Sequence, residues 1–92
     1  MDTSNDELNR VLHAIADPTR RRILQLLHEG GSRLCAREIE ACIRLSQPTI
    51  SHHMAILIKS GLVEAKKLGH SKWYSRNEAA VREFCRKLRE SL

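Results

Sequence analysis

Leu45-Ser46-Gln47-Pro48-Thr49-Ile50-Ser51-His52-His53-Met54-Ala55-Ile56-Leu57-Ile58-Lys59-Ser60-Gly61 is the stretch whose reading decides the fold. Ser46 is placed to cap a helix, and Pro48 falls in its first turn, where a missing N–H costs nothing. The helix continues to Ser60, and Gly61 ends it. Ile50, Met54 and Leu57 share one side and must pack inward, which turns Gln47, Thr49, Ser51 and His52 outward near the helix start. A short helix precedes it, from Ala36 to Arg44, with Ile39, Cys42 and Ile43 toward the core and Leu45-Ser46 as the connection. Two short helices joined so tightly, each with one apolar face, predict a helix-turn-helix over residues 36–60.

Outward from this pair the pattern changes period. Leu62-Val63-Glu64-Ala65-Lys66-Lys67 and Ser71-Lys72-Trp73-Tyr74-Ser75-Arg76 read as two strands around a Gly69-His70 turn, a wing over residues 62–76. Asn77 then caps a last helix, Glu78 to Glu90, striped by Val81, Phe84, Cys85 and Leu88. Upstream, Leu8, Val11, Leu12 and Ile15 make one stripe on a helix from Asp6 to Ala16. Asp17-Pro18 stops that helix and caps the next, which runs to His28 with Ile23, Leu24 and Leu27 inward and ends at Gly30-Gly31. The expected fold is mainly α with a small β-hairpin: a winged helix-turn-helix of five helices and one two-stranded wing, a single domain over residues 1–92.

Charge is unevenly spread. Residues 1–43 hold six basic and seven acidic side chains, and residues 77–92 hold four and three. Residues 44–76 hold Arg44, Lys59, Lys66, Lys67, Lys72 and Arg76 against Glu64 alone, which is the whole of the net +5. A basic window on a recognition helix and wing suits a polyanion, and double-stranded DNA is the expected partner. A recognition helix reads the major groove with its N-terminal residues, and its N-terminal dipole favours phosphate. The expected contact set on that helix is Gln47, Pro48, Thr49, Ser51, His52 and His53, with Lys59 at the far end. His53 also reads as a packing residue. Lys67, His70 and Lys72 on the wing suit the minor groove or phosphates. Arg20 and Arg21 oppose the dipole of the helix they start, a cost more easily understood if one of them reaches a phosphate; the other reading is a solvated face.

Other classes fit less well. No phosphate-cradling Gly loop, Ser-His-acid set or carboxylate pair stands out, so no catalytic site and no cofactor are expected. One Trp, one Tyr and one Phe do not furnish the stacking platform of single-strand readers. A winged helix used as a protein-interaction or architectural module is the alternative, and it leaves the basic window unexplained. No apolar stretch is long enough to span a bilayer, and the acidic start Met1-Asp2-Thr3-Ser4-Asn5-Asp6-Glu7 is the reverse of a signal peptide, so a cytoplasmic location is expected.

Three motifs together resemble the ArsR/SmtB repressor family: Asp17-Pro18-Thr19-Arg20-Arg21-Arg22-Ile23-Leu24, Leu45 through Met54, and Ser60-Gly61-Leu62-Val63, with Trp73-Tyr74 matching the family's hairpin aromatic pair. The resemblance runs from about residue 8 to 88. It implies a homodimer built from the first and last helices, through Leu8, Val11, Leu12, Ile15, Val81, Phe84, Cys85 and Leu88, that binds an inverted-repeat operator and is released by a chemical inducer. The family's metal sites do not carry over. The arsenic-type CxCxxC positions fall on Cys35, Arg37 and Glu40, and residues 77–92 lack the histidines of the zinc-type site. No metal is expected, and the inducer stays unidentified.

Three cysteines without a CxxC pair do not suggest a disulfide framework. Cys42 and Cys85 lie on apolar stripes and read as packing residues. Cys35 falls at the N-cap of the third helix, with Glu38 at the capping-box position, and is the candidate sensing thiol.

Overall fold

The computed structural model describes residues 3–31 and 33–92, with side chains from Asp6 onward within those ranges. Its elements are α1 (Thr3–Ile15), α2 (Pro18–Glu29), β1 (Leu34–Cys35), α3 (Ala36–Cys42), α4 (Gln47–Lys59), β2 (Val63–Leu68), β3 (Ser71–Arg76) and α5 (Glu78–Ser91).

The expected caps form. The Asp17 carboxylate accepts the Arg20 backbone N–H at 3.0 Å, and Pro18 opens α2. At the other end the Gly30 N–H donates to the Leu26 carbonyl, and Gly31 turns the chain away at a φ of 88°. The Ser46 hydroxyl accepts the Thr49 backbone N–H at the start of α4, and Gly61 follows the last turn at a φ of 86°. Both left-handed glycines stand where a side chain would strain the backbone.

The sheet has three strands, in the order β1-β3-β2, all antiparallel. This corrects the two-stranded wing. Leu34 and Cys35 pair with Tyr74 and Trp73, and two residues are too few to show any period-2 pattern in sequence. β2 and β3 meet as expected around Gly69-His70, with Leu68 opposite Ser71. Gly69 takes a φ of 62° and His70 does not go positive, the pattern of a II′ turn, whose twist matches that of the strands.

Two further expectations shift. α1 starts at Thr3 rather than Asp6, and α3 stops at Cys42 rather than Arg44. Ile43 is already extended, although its N–H still bonds the Ile39 carbonyl. Ile43 stays buried, while Cys42, in the last position of α3 where no further turn continues the stripe, is exposed and does not pack in the core. Cys85 is exposed as well.

The core gathers Ile23, Leu24 and Leu27 from α2, Ile39 and Ile43 from the α3 end, Ile50, Met54 and Leu57 from α4, and Leu62, Val63 and Tyr74 from the wing. Ala14 of α1 and Leu26 of α2 complete it. Each large aliphatic side chain enclosed here contributes about 1.5–3 kcal/mol of transfer free energy. α5 adds no buried residue; Ala80 and Val81 only lie against the cluster. The core thus sits between α2, α4 and the sheet, and it holds α4 and the wing side by side.

Candidate nucleic-acid interface

α4 presents the face its sequence called for. Ile50, Met54 and Leu57 are buried, while Gln47, Pro48, Thr49, Ser51 and His52 are exposed. The Thr49 and Ser46 hydroxyls lie 2.8 Å apart, so Thr49 is partly engaged in the cap. Lys59 is exposed at the other end of α4.

The wing comes alongside one flank of this helix. Gln47, Ser51, Met54, Lys72 and Tyr74 line one groove of about 240 Å³. A neighbouring groove of about 330 Å³ takes in Ser51, Ala55, Lys59, Lys72 and Tyr74. The two grooves share Ser51, Met54, Lys72 and Tyr74, so Gln47 and Ser51 from the helix start, the ammonium groups of Lys59 and Lys72, and the Glu40 carboxylate border adjoining surface. The Lys72 ammonium stands 5.7 Å from the Tyr74 ring centroid, close enough for a cation–π contact.

Lys67 and Lys72 sit directly opposite each other across β2 and β3. Like charges at such a pair repel. Among the described residues none of Arg44, Lys59, Lys66, Lys67 and Lys72 has an ion-pair partner, whereas Arg76 is held by Glu78 through two bonds of 2.7 Å. Most of the basic excess of residues 44–76 therefore faces solvent uncompensated, on α4 and the wing. His70 is exposed in the wing turn.

Arg20 departs from expectation. It is 7% exposed, and its guanidinium is spent inside the protein. Its Nε donates to the Ala14 carbonyl at 2.6 Å, Nη2 to the His13 carbonyl at 3.1 Å, and Nη1 lies 3.2 Å from His53 Nδ1. This removes Arg20 from the DNA-contact set. The α1 carbonyls are at the negative end of a helix dipole, so they supply part of the opposite charge that a buried cation needs. Sequence carried the signal: Arg20 stands three, four and seven residues before Ile23, Leu24 and Leu27, on the same inward stripe. Arg21 is exposed and donates to the Ile15 carbonyl at 2.6 Å.

His53 is half-buried on the flank of α4 opposite the wing, with Nδ1 3.9 Å from Asp17 Oδ2. The Asp17 carboxyl is held below the usual range, chiefly by the Arg20 backbone N–H. Sequence reasoning missed one basic-aromatic cluster altogether: Arg33 lies 5.2 Å above the Trp73 ring, beside Lys66. Its only trace in sequence is the pairing of Lys66 with Trp73, which becomes visible once the hairpin register is known.

Cys35 is half-exposed at the N-cap of α3, and its backbone N–H donates to Glu38 Oε1 at 3.0 Å. That bond is the chief cause holding the Glu38 carboxyl below its usual range. Activated cysteines sit beside cations, and here the neighbour is a carboxylate. Among the described residues no three His, Cys, Asp or Glu side chains gather into a metal-ion site.

On α1 and α5 Leu8, Val11, Leu12, Ile15, Val81, Phe84 and Leu88 are all half-exposed. Leu8, Val11, Ala80 and Phe84, with Lys59 at the end of α4 and Leu62 just beyond it, line a groove of about 340 Å³, and the Lys87 ammonium bonds Glu7 at 3.1 Å along its rim. No helix among the described residues is long and apolar enough to cross a membrane.

Residues 17–65 match the model of the bacterial regulatory protein, arsR family. The arsenical resistance operon repressor of Staphylococcus aureus is 38% identical over 92% of this chain and 80% of its own length. The transcriptional repressor SdpR of Bacillus subtilis is 38% identical over 83% of this chain and 82% of its own. Among solved structures, a homodimeric winged helix-turn-helix DNA-binding domain from Mycobacterium bovis aligns with a TM-score of 0.78 at 30% identity, over 88% of this chain and 74% of that one.

Proposed function

The chain belongs to the ArsR family and is a DNA-binding transcriptional repressor, and on that premise we propose how it reads its operator. Two copies pair through α1 and α5, and each lays α4 into a major groove of an inverted repeat. Gln47 and Ser51 contact base edges. Pro48, Thr49 and His52 line the same exposed helix start and fit the groove wall. Lys59, Lys67, Lys72, His70 and Arg21 contact the backbone. The observation that carries this reading is the groove that Gln47, Ser51 and Lys72 line together with Glu40, which joins the start of α4 to a wing whose lysines have no ion-pair partner among the described residues.

The division of labour follows from chemistry. A glutamine amide can satisfy an adenine bidentately, and each such pair discriminates against a wrong base by about 1–3 kcal/mol. Lysines add affinity through counterion release without reading sequence. Apolar surface left half-exposed on α1 and α5 is the part of the domain that a second copy would cover; small domains commonly need such added burial. For a thiol-directed inducer, Cys35 at the N-cap of α3 is the candidate, half-exposed and beside the Glu38 carboxylate.

Selection from a random duplex library with reduced, metal-free protein tests the proposal. The expected product is an inverted repeat with half-sites about one helical turn apart. Salt-sensitive binding with no enriched sequence would leave an architectural or interaction module instead.

A further inference from the structure

Arg20 is the only charged side chain buried among the described residues, and its three bonds join three elements. Nε and Nη2 hold the carbonyls of Ala14 and His13 at the end of α1, Arg20 itself belongs to α2, and Nη1 reaches His53 on α4. Arginine has no acceptor, so the 3.2 Å contact requires a lone pair on His53 Nδ1. That bond is open only to the tautomer carrying its proton on Nε2. A lysine would offer one compact ammonium in place of a planar fork whose separate nitrogens reach these acceptors.

We infer that Arg20 is a positioning residue for DNA reading, setting the seat of α4 through its bond to His53 Nδ1. The inference rests on α4 being the reading helix. α4 is flanked on two sides. On one, Gln47 and Ser51 share a groove with Lys72; on the other, His53 meets Arg20. Ile50, Met54 and Leu57 press α4 onto the core, but apolar contacts are non-directional and tolerate small rolls and slides. A satisfied buried polar contact does not, because moving off its geometry leaves a charged donor unpaired. A reading side chain misplaced by about 1 Å loses its base-edge bonds while phosphate contacts adapt. The joint therefore acts on sequence discrimination more than on general DNA affinity. The same guanidinium grips the end of α1, a helix of the proposed dimer surface, so the seat of α4 is referred directly to the position of the second copy.

The test compares two replacements of His53 in the full chain. Asparagine places an acceptor where Nδ1 stood, and leucine removes it. The readout is the ratio of affinities for the selected inverted repeat and for a random duplex, at one salt concentration. His53→Leu is expected to lower that ratio about tenfold, and His53→Asn to stay within about threefold of the parent. Arg20→Met and His53→Leu should be strongly non-additive, since both break one bond. Nitrogen NMR of the His53 ring should show the Nε2-protonated form in the parent and a loss of that preference in Arg20→Met. Equal ratios for the parent and His53→Leu, or equal losses for the Leu and Asn variants, overturn the inference. Gln47→Ala separates the levels. If it lowers the ratio and His53→Leu does not, only the joint is wrong; if Gln47→Ala changes nothing, α4 is not the reader and the inference falls with it. Should Arg20→Met fail to fold, the His53 pair decides alone.

Discussion

Helices α4 and α5 are almost equal in length, 13 and 14 residues, and each carries one apolar stripe, yet the chain uses them in opposite ways. α4 buries Ile50, Met54 and Leu57, and Gln47, Thr49, Ser51, His52 and Lys59 face out. α5 buries nothing; Val81, Phe84 and Leu88 stay half-exposed, and part of its charge is paired along the helix, Arg86 with Glu83 and Glu90. One stripe is spent within the chain and the other is left over. An amphipathic helix whose apolar face is unspent gains most from a partner, while a helix anchored from behind is free to present its polar face.

The sharpest way to break this contrast is to damage each stripe in turn. Leu57 is 0% exposed, and Leu57→Ala should cost about 2–5 kcal/mol of stability at any protein concentration. The parent's melting temperature should rise with concentration, because association stabilises the folded form by mass action. Phe84→Asp should remove that dependence and yield a monomer in sedimentation, with most DNA affinity lost. If Phe84→Asp sediments like the parent, the leftover stripe is not where two copies meet. A concentration-independent melt of the parent would sink the dimer altogether.

The polar face of α4 separates next from the wing beside it. Gln47→Ala should weaken operator binding by about 1–3 kcal/mol and relax the choice of base at one position. Lys72→Gln should weaken binding to every sequence alike and shrink the salt slope by about 1. Titrations of matched and mismatched duplexes across a salt series measure both. A uniform loss from Gln47→Ala would place base reading elsewhere, and an unchanged salt slope for Lys72→Gln would take the wing off the phosphates.

Sequence made the contrast largely legible. Ser46, Pro48 and Gly61 bound α4, and the spacing of Ile50, Met54 and Leu57 orients it. What sequence did not show depends on partners distant along the chain. β1 exists because Trp73 and Tyr74 offer an edge to Leu34 and Cys35, and no two-residue run announces that. Cys42 matched a helical stripe, but the stripe counts only while the helix lasts, and α3 ends at that residue. Arg20 was masked by its neighbours. In a run of three arginines charge suggests solvent, while helical phase puts the first of them with Ile23, Leu24 and Leu27. Phase was the better guide there, because the end of α1 and His53 could satisfy the charge once folded.

The smallest effects concern acid, and they too divide the molecule. On the α4 side Asp17 has its carboxyl held low, first by the Arg20 backbone N–H. On α5 Glu83 is held low, first by the Arg86 side chain, and Glu78 by that of Arg76. A carboxyl depressed in the folded state contributes stability that is present above its unfolded value, about 3.9 for Asp and 4.3 for Glu, and that is lost as pH falls through the lower folded value. Melting temperature should therefore fall below about pH 4. Asp17→Asn keeps a good helix cap, so it should melt like the parent near pH 7 but lose less on acidification. Glu83→Gln should flatten the acid limb less. Its side chain is 50% exposed against 32% for Asp17, and its pair with Arg86 is open to screening, so the difference should vanish in high salt. The hydrogen bond from the Arg20 backbone is short-ranged, and the Asp17→Asn difference should survive the same salt. If Glu83→Gln flattens the acid limb more than Asp17→Asn, α5 is bound into the folded chain more tightly than its exposure implies, and its leftover stripe is no longer the reason for a second copy.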